Sequence, residues 1–155
     1  HAGGALYDLN IYNLHFVIGV LGTPKEVIYR PNLGFNGIDI SGTALLDYDD
    51  YTVVCSAAKD SESISGIVFQ GEKGYMELVG APNACALVKV HKKGEEEILI
   101  NKEKYNHRMV NEFVAFTEIF KQQDLATCYK TLEHSLNVMK VLEQARISGK
   151  VEFNI

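Results

Sequence analysis

The chain has 155 residues, 46% of them apolar and 23% charged, the composition of one globular domain with a substantial core. A formal charge of −5 leaves no basic footprint for a phosphate backbone, and no run approaches the roughly 20 apolar residues that span a bilayer, so neither nucleic acid nor membrane is expected as a partner. Cys55, Cys85 and Cys128 are an odd set at wide spacing without a CxxC pair, which points to reduced, mostly buried thiols in a cytoplasmic protein.

The sequence opens at His1-Ala2-Gly3-Gly4 without an initiator Met and enters a helix almost at once. We expect a cut at a domain boundary within a longer protein, processing being the other explanation, and give His1 no role. Tyr7, Ile11, Leu14, Ile18 and Leu21 recur at helical spacing, predicting a helix over about Ala5–Leu21 that Gly22 ends, with Pro24 just beyond. The middle of the chain is β-rich. Lys25–Tyr29 reads as a strand ended by Arg30-Pro31. Ile38–Leu46 and Tyr51–Ala58 alternate with period 2, placing Ile38, Ile40, Ala44 and Leu46 on one side and Val53, Cys55 and Ala57 on one side. Ser63–Phe69 and Tyr75–Val79 flank Gly71-Glu72-Lys73-Gly74, a hairpin turn. Cys85–Val90 and Glu97–Ile100 read as a further hairpin.

The last third is helical. Asn106–Lys121 carries Met109, Phe113, Phe116 and Phe120 on one face, and Thr127–Ile147 carries Leu132, Leu136, Met139, Leu142 and Ala145. Both stripes are expected on the sheet face that the first helix covers. Gly149 stops the last helix, and Val151–Phe153 is a candidate edge strand. The expectation is a single domain over residues 1–155: an α+β two-layer sandwich with a mainly antiparallel (mixed) open sheet of five to six or more strands and helices on one face.

No GxGxxG follows a strand and no GxxxxGK[ST] occurs; Gly34, Gly37 and Gly42 read as turn geometry, so no cofactor-binding residue is expected in this chain. His91, His107 and His134 are scattered and form no ligand motif, so no metal is expected either. Only the first helix gathers chemistry-bearing groups. Asp8, Tyr12 and His15 lie four and three residues apart and share a face, which suits either proton handling and hydroxyl binding or an ordinary polar face with local hydrogen bonds.

The segment Gly3-Gly4-Ala5-Leu6-Tyr7-Asp8-Leu9-Asn10-Ile11-Tyr12-Asn13-Leu14-His15 resembles the GGGxLxDxGxHxxx helix that opens the C-terminal domain of Gfo/Idh/MocA oxidoreductases. Gly22–Val27, the hairpin Ile64–Leu78, Tyr105–Phe116 and Leu136–Val151 resemble later elements of that domain in the same order. The resemblance implies a separate N-terminal Rossmann domain, absent here, that binds NAD or NADP and supplies a catalytic Lys in a Glu-Lys-Pro motif. It implies that this chain contributes the substrate side, for a sugar, inositol or related polyol undergoing hydride transfer at a secondary hydroxyl or its carbonyl. It also implies homo-oligomerisation through an open sheet face, for which Leu45, Val54, Ile67 and Met76 are candidates. By correspondence, Asp8 and Tyr12 carry catalytic roles, and His15 and Asn10 are substrate-side positions. Tyr12 stands where many members have His, and Asn10 replaces a Gly that permits close approach of a ligand or chain segment. The isolated chain is expected to be inactive; the alternative is a non-catalytic ligand-binding or assembly module on the same fold.

Overall fold

In the computed structural model, which describes residues 3–100, 105, 107 and 109–152, the chain forms two units, His1–Glu62 with Cys128–Ile155, and Ser63–Thr127. The first unit begins with a π-helical turn, Leu6–Asn10, that runs directly into helix α1, Ile11–Leu21. A π turn amounts to one extra residue in an α-helix. It shifts the buried stripe by one position, so that Leu6, rather than Tyr7, joins Leu14, Val17 and Ile18 in the core. Gly22 ends α1 at φ +80°, its N–H donating to the Ile18 carbonyl at 3.0 Å.

Strands β1 (Glu26–Leu33), β2 (Asp39–Asp47) and β3 (Thr52–Ala58) form an antiparallel sheet in that order. Pairing aligns Val27, Leu46 and Val53 in one row and Tyr29, Ala44 and Cys55 in the next. Both rows face α1 and the end of the last helix, where Val138, Val141, Leu142 and Ala145 complete the core. Each fully buried Val or Leu contributes about 1.5–3 kcal/mol of transfer free energy. On the opposite face Ile28, Leu45 and Val54 make one apolar row between polar ones, with Val54 exposed. The first strand does not stop at Arg30-Pro31. It continues to Leu33 because β1 is an edge strand of this sheet, where proline's missing N–H is tolerated.

The second unit holds an antiparallel meander, β4 (Gly66–Gly71), β5 (Gly74–Val79), β6 (Leu87–Lys92) and β7 (Ile98–Ile100). The β4–β5 turn falls on Gly71-Glu72-Lys73-Gly74 as expected. Ile67 and Met76 share a face with Leu78, which is buried. They belong to a different sheet from Leu45 and Val54, so the four candidates do not form one hydrogen-bonded surface. Helix α2 spans Met109–Gln122; Asn106, the expected first residue, lies outside the described residues. Its Met109, Phe113, Phe116 and Phe120 are exposed, contrary to the expectation that they are buried.

Helix α3, Leu125–Ser148, starts two residues earlier than the periodicity predicts. The carboxylate of Asp124 accepts hydrogen bonds from the Thr127 N–H at 3.0 Å and hydroxyl at 2.6 Å, an N-cap that also holds the Asp124 pKa below its usual value. Its buried stripe is Val138, Val141, Leu142 and Ala145, whereas Leu132, Leu136 and Met139 are exposed. Val151 is buried but belongs to no strand, and Phe153 lies outside the described residues. Of the cysteines only Cys55 is buried; Cys85 and Cys128 are exposed, and all three are free, which corrects the expectation of mostly buried thiols. Burial pushes the Cys55 thiol up to about 12. The α+β class and antiparallel strands are as expected, with the described strands divided between two sheets rather than joined in one. Among the described residues no helix is long and apolar enough to cross a membrane.

Candidate functional site

The first turn of the leading helix carries no local side-chain cap. Its cap comes from the sheet. The Leu6 N–H donates to Asp39 Oδ2 at 2.6 Å, and the Tyr29 hydroxyl donates to the same oxygen at 2.8 Å. Asp39 is 1% exposed, a buried carboxylate set against helix N–H groups whose dipole favours negative charge. Gly4 lets it approach: a Cβ at Gly4 would overlap Asp39 Oδ1. Burial, followed by the hydrogen bond and charge of Asp39, holds the Tyr29 phenol far above its usual range. A second clamp comes from the end of β3. Lys59 Nζ donates to the Gly3 carbonyl and to Asp8 Oδ2, both at 2.6 Å.

These two clamps place Asp8 at the surface end of the helix, more than half exposed. Tyr12, on the following turn, is 43% exposed. Tyr7 is engaged elsewhere. Its hydroxyl donates to Glu143 Oε2 at 3.0 Å, and burial followed by Glu143 pushes its pKa up to about 12. Arg146 grips both oxygens of Glu143, holding that carboxyl down at about 2.

Asn10 is fully buried. Its amide N–H donates to the Cys55 carbonyl at 3.0 Å and its oxygen accepts from Asn13 at 2.8 Å, while Asn13 also donates to the Ser56 carbonyl at 3.1 Å. The pair lashes the helix to β3, so Asn10 supports the helix from beneath. His15 turns towards α3. Its Nδ1 and His134 Nε2 are 3.1 Å apart, one donating and the other accepting. Asp8, Asn10 and His15 thus share no hydrogen-bond partner. Among the described residues no hydrogen bond joins Asp8, Tyr12 and His15 to one another.

Burial, then the neighbouring His134, lowers the His15 pKa from 6.5. The neutral imidazole is the form the fold accommodates, so the unfolded chain binds more protons as pH falls. Stability from this pair is therefore full above about pH 6.5 and is lost as pH drops through the lower folded value. Denaturant midpoints measured between about pH 7.5 and pH 5 should fall in wild type and fall less in His15→Asn; parallel curves would remove the pair as the cause.

A dinucleotide does not fit the glycine pair that opens the helix. The helix N-terminus is already occupied by the Asp39 carboxylate, which would repel a pyrophosphate, and Gly4 serves that carboxylate's approach. The second unit has a shallow concavity of about 540 Å³ whose lining includes Val68, Gln70, Glu72, Tyr75 and Lys93. Asp39, Tyr29 and Lys59 were not legible as partners of the helix. Asp39 lies 33 residues from Leu6 and Lys59 lies 51 from Asp8, beyond any local spacing rule.

No family model matches the chain. It is similar to scyllo-inositol 2-dehydrogenase (NADP(+)) IolU of Bacillus subtilis (strain 168), 28% identical over 148 residues that cover 94% of this chain and 44% of that protein. It is also similar to the uncharacterized oxidoreductase YgjR of Escherichia coli (strain K12), 31% identical over 75 residues, 48% of this chain and 23% of that one. Among solved structures, the aldose-aldose oxidoreductase of Caulobacter crescentus complexed with glycerol shares the fold at TM-score 0.74 and 16% identity, over 96% of this chain and 46% of that chain. The UDP-N-acetylglucosamine 3-dehydrogenase GnnA of Acidithiobacillus ferrooxidans does so at TM-score 0.72 and 12% identity, over 93% and 46%. The similarity is at family level, to oxidoreductases of the Gfo/Idh/MocA kind. The chain spans less than half the length of the curated relatives it matches.

Proposed function

We propose that this chain is the substrate-binding and assembly part of a larger NAD(P)-dependent oxidoreductase that acts on an inositol, sugar or related polyol by hydride transfer at a secondary hydroxyl or its carbonyl. The observation that carries the reading is the chain-long likeness to a scyllo-inositol dehydrogenase, together with an exposed Asp8 carboxylate and an exposed Tyr12 on the leading helix. In this reading Asp8 accepts a hydrogen bond from a substrate hydroxyl and Tyr12 contacts the hydroxyl that gains or loses a proton. His15 borders the substrate side, and Asn10 fixes the backbone under it. The cofactor and its hydride chemistry belong to another part of the full-length protein. Homo-oligomerisation through an exposed sheet face belongs to the same reading, with Val54 as the exposed apolar marker on the first sheet.

The test is made on the full-length protein. It is assayed by nicotinamide absorbance with NAD+ and NADP+ against scyllo-inositol, myo-inositol, glucose and xylose, and its mass is taken by light scattering. At least one polyol should be oxidised, by a dimer or larger assembly. Asp8→Asn, which keeps shape and removes charge, should lower kcat/KM by about a hundredfold, equivalent to losing roughly 2.7 kcal/mol of transition-state stabilisation. The chain alone should bind neither cofactor in calorimetry. A silent panel, an unaffected Asp8→Asn enzyme or micromolar cofactor binding by the chain alone would each overturn the reading.

A further inference from the structure

We propose that Lys59 is a positioning residue for Asp8, acting through that carboxylate and not on the substrate itself. The inference rests on the substrate-side reading of Asp8 given above.

The backbone fixes where Lys59 starts. Its N–H donates to the Ile40 carbonyl at 2.8 Å, extending the β2–β3 pairing one step beyond Ala58. The side chain then reaches the opening turn of the leading helix. Its Nζ holds the Gly3 carbonyl and Asp8 Oδ2, both at 2.6 Å. Two anchors, one backbone carbonyl and one carboxylate, define the ammonium position. An ion pair between exposed side chains usually gains little, because ordering two long chains offsets the attraction. Here the lysine stem is two-thirds covered and already anchored at Gly3, so the ordering cost is largely met before Asp8 binds. Asp8 is the more exposed partner and has the freedom to lose.

The choice of partner is also specific. Asp60 is the next residue in sequence, yet its carboxylate faces away and accepts hydrogen bonds from Asn32 and Ser41. Asp39 lies under the same turn and is committed to Leu6 and Tyr29. Lys59 thus carries the cationic half of a division of labour in which Asp39 sets the helix start and Lys59 sets the carboxylate that the helix presents. Small displacements of a group that orients substrate are costly, up to about a hundredfold for an ångström, which gives this contact functional weight that its stability does not reflect.

A double-mutant cycle in the full-length protein separates the roles. Lys59→Met, Lys59→Arg, Asp8→Asn and Asp8→Asn/Lys59→Met are compared for kcat and KM on the polyol that is oxidised fastest in the panel above. Lys59→Met is expected to lose between about tenfold and a hundredfold in kcat/KM, with Lys59→Arg recovering most of it. The double variant should match Asp8→Asn alone, because once the carboxylate charge is gone there is nothing left for Lys59 to orient. Melting temperatures should move by no more than about 4 °C, which keeps a folding defect from imitating the result. An equal loss from Lys59→Met in both backgrounds would show that Lys59 meets the substrate directly and would overturn the proposal. So would a silent Lys59→Met beside an impaired Asp8→Asn, which leaves the reading of Asp8 intact. A silent Asp8→Asn overturns that reading and this inference with it.

Discussion

Asp39→Ala is expected to destabilise the protein by about 3 kcal/mol, measured as a lowered denaturant midpoint with unchanged slope. The carboxylate accepts two hydrogen bonds inside the core, from the Leu6 N–H and the Tyr29 hydroxyl. Removing it strands a buried helix-terminal N–H and a buried phenol together, each an unsatisfied donor costing about 1–3 kcal/mol. Relief from burying a charge offsets part of that loss. Asp39→Asn should cost less, because an amide oxygen can still accept from both donors, while its NH2 takes the place of Oδ1, an atom with no hydrogen-bond partner. If the alanine variant proves no less stable than the asparagine one, the carboxylate is not the cap of the helix.

Under the proposed function stability and activity are joined, because the helix held by Asp39 is the one that carries Asp8 and Tyr12. Against a typical folding free energy of about 5–15 kcal/mol, losing the cap leaves a folded protein with a loosened first turn. Activity of the full-length Asp39→Ala protein should therefore fall before its fold does. The helix end has only a π turn and Gly3-Gly4 to hold it locally, and its fixed geometry is borrowed from the sheet.

The parts of the fold set by local rules were readable in advance. The glycine stop of α1, the alternation of β2 and β3 and the Gly71–Gly74 turn follow from backbone freedom and side-chain period, and they fell where expected. The extent of β1 was not readable, since whether Pro31 ends a strand depends on whether that strand lies at an edge. The expected stripe of α3 holds at Leu142 and Ala145, which are buried, and fails at Leu132, Leu136 and Met139, because the helix has apolar residues on more than one side. Those three fit the helical period as well as the buried Val138 and Val141, and packing alone chooses between them. The π turn was invisible for a similar reason: an inserted residue leaves composition unchanged and only moves the phase, exchanging Leu6 for Tyr7 in the core. At the candidate site, the motif singles out Asp8 and Tyr12, but no local pattern reveals that Lys59 reaches Asp8 or that Asp39, bonded to Tyr29, caps the helix at Leu6.

Gly42 makes the same point as a measurable effect. By sequence it reads as turn geometry inside the predicted strand Ile38–Leu46, and it lies within β2, paired with Pro31 and Ala57. A Cβ there would overlap the Tyr29 phenol oxygen and ring carbons, so the glycine is the floor on which the tyrosine ring lies. Tyr29 cannot easily move aside, because its hydroxyl is bonded to Asp39 and its backbone N–H to the Ser148 hydroxyl at the end of α3. Gly42→Ala is therefore expected to lose about 2–3 kcal/mol, the cost of overpacking a fixed core. Alanine's better strand propensity would act in the opposite sense, by well under that amount. Denaturation of Gly42→Ala, Tyr29→Ala and the double variant decides the matter. In the Tyr29→Ala background the added methyl should cost almost nothing, since the ring it strikes is gone. An undiminished cost there would mean that Gly42 serves the strand backbone, and that Tyr29 reaches Asp39 without its help.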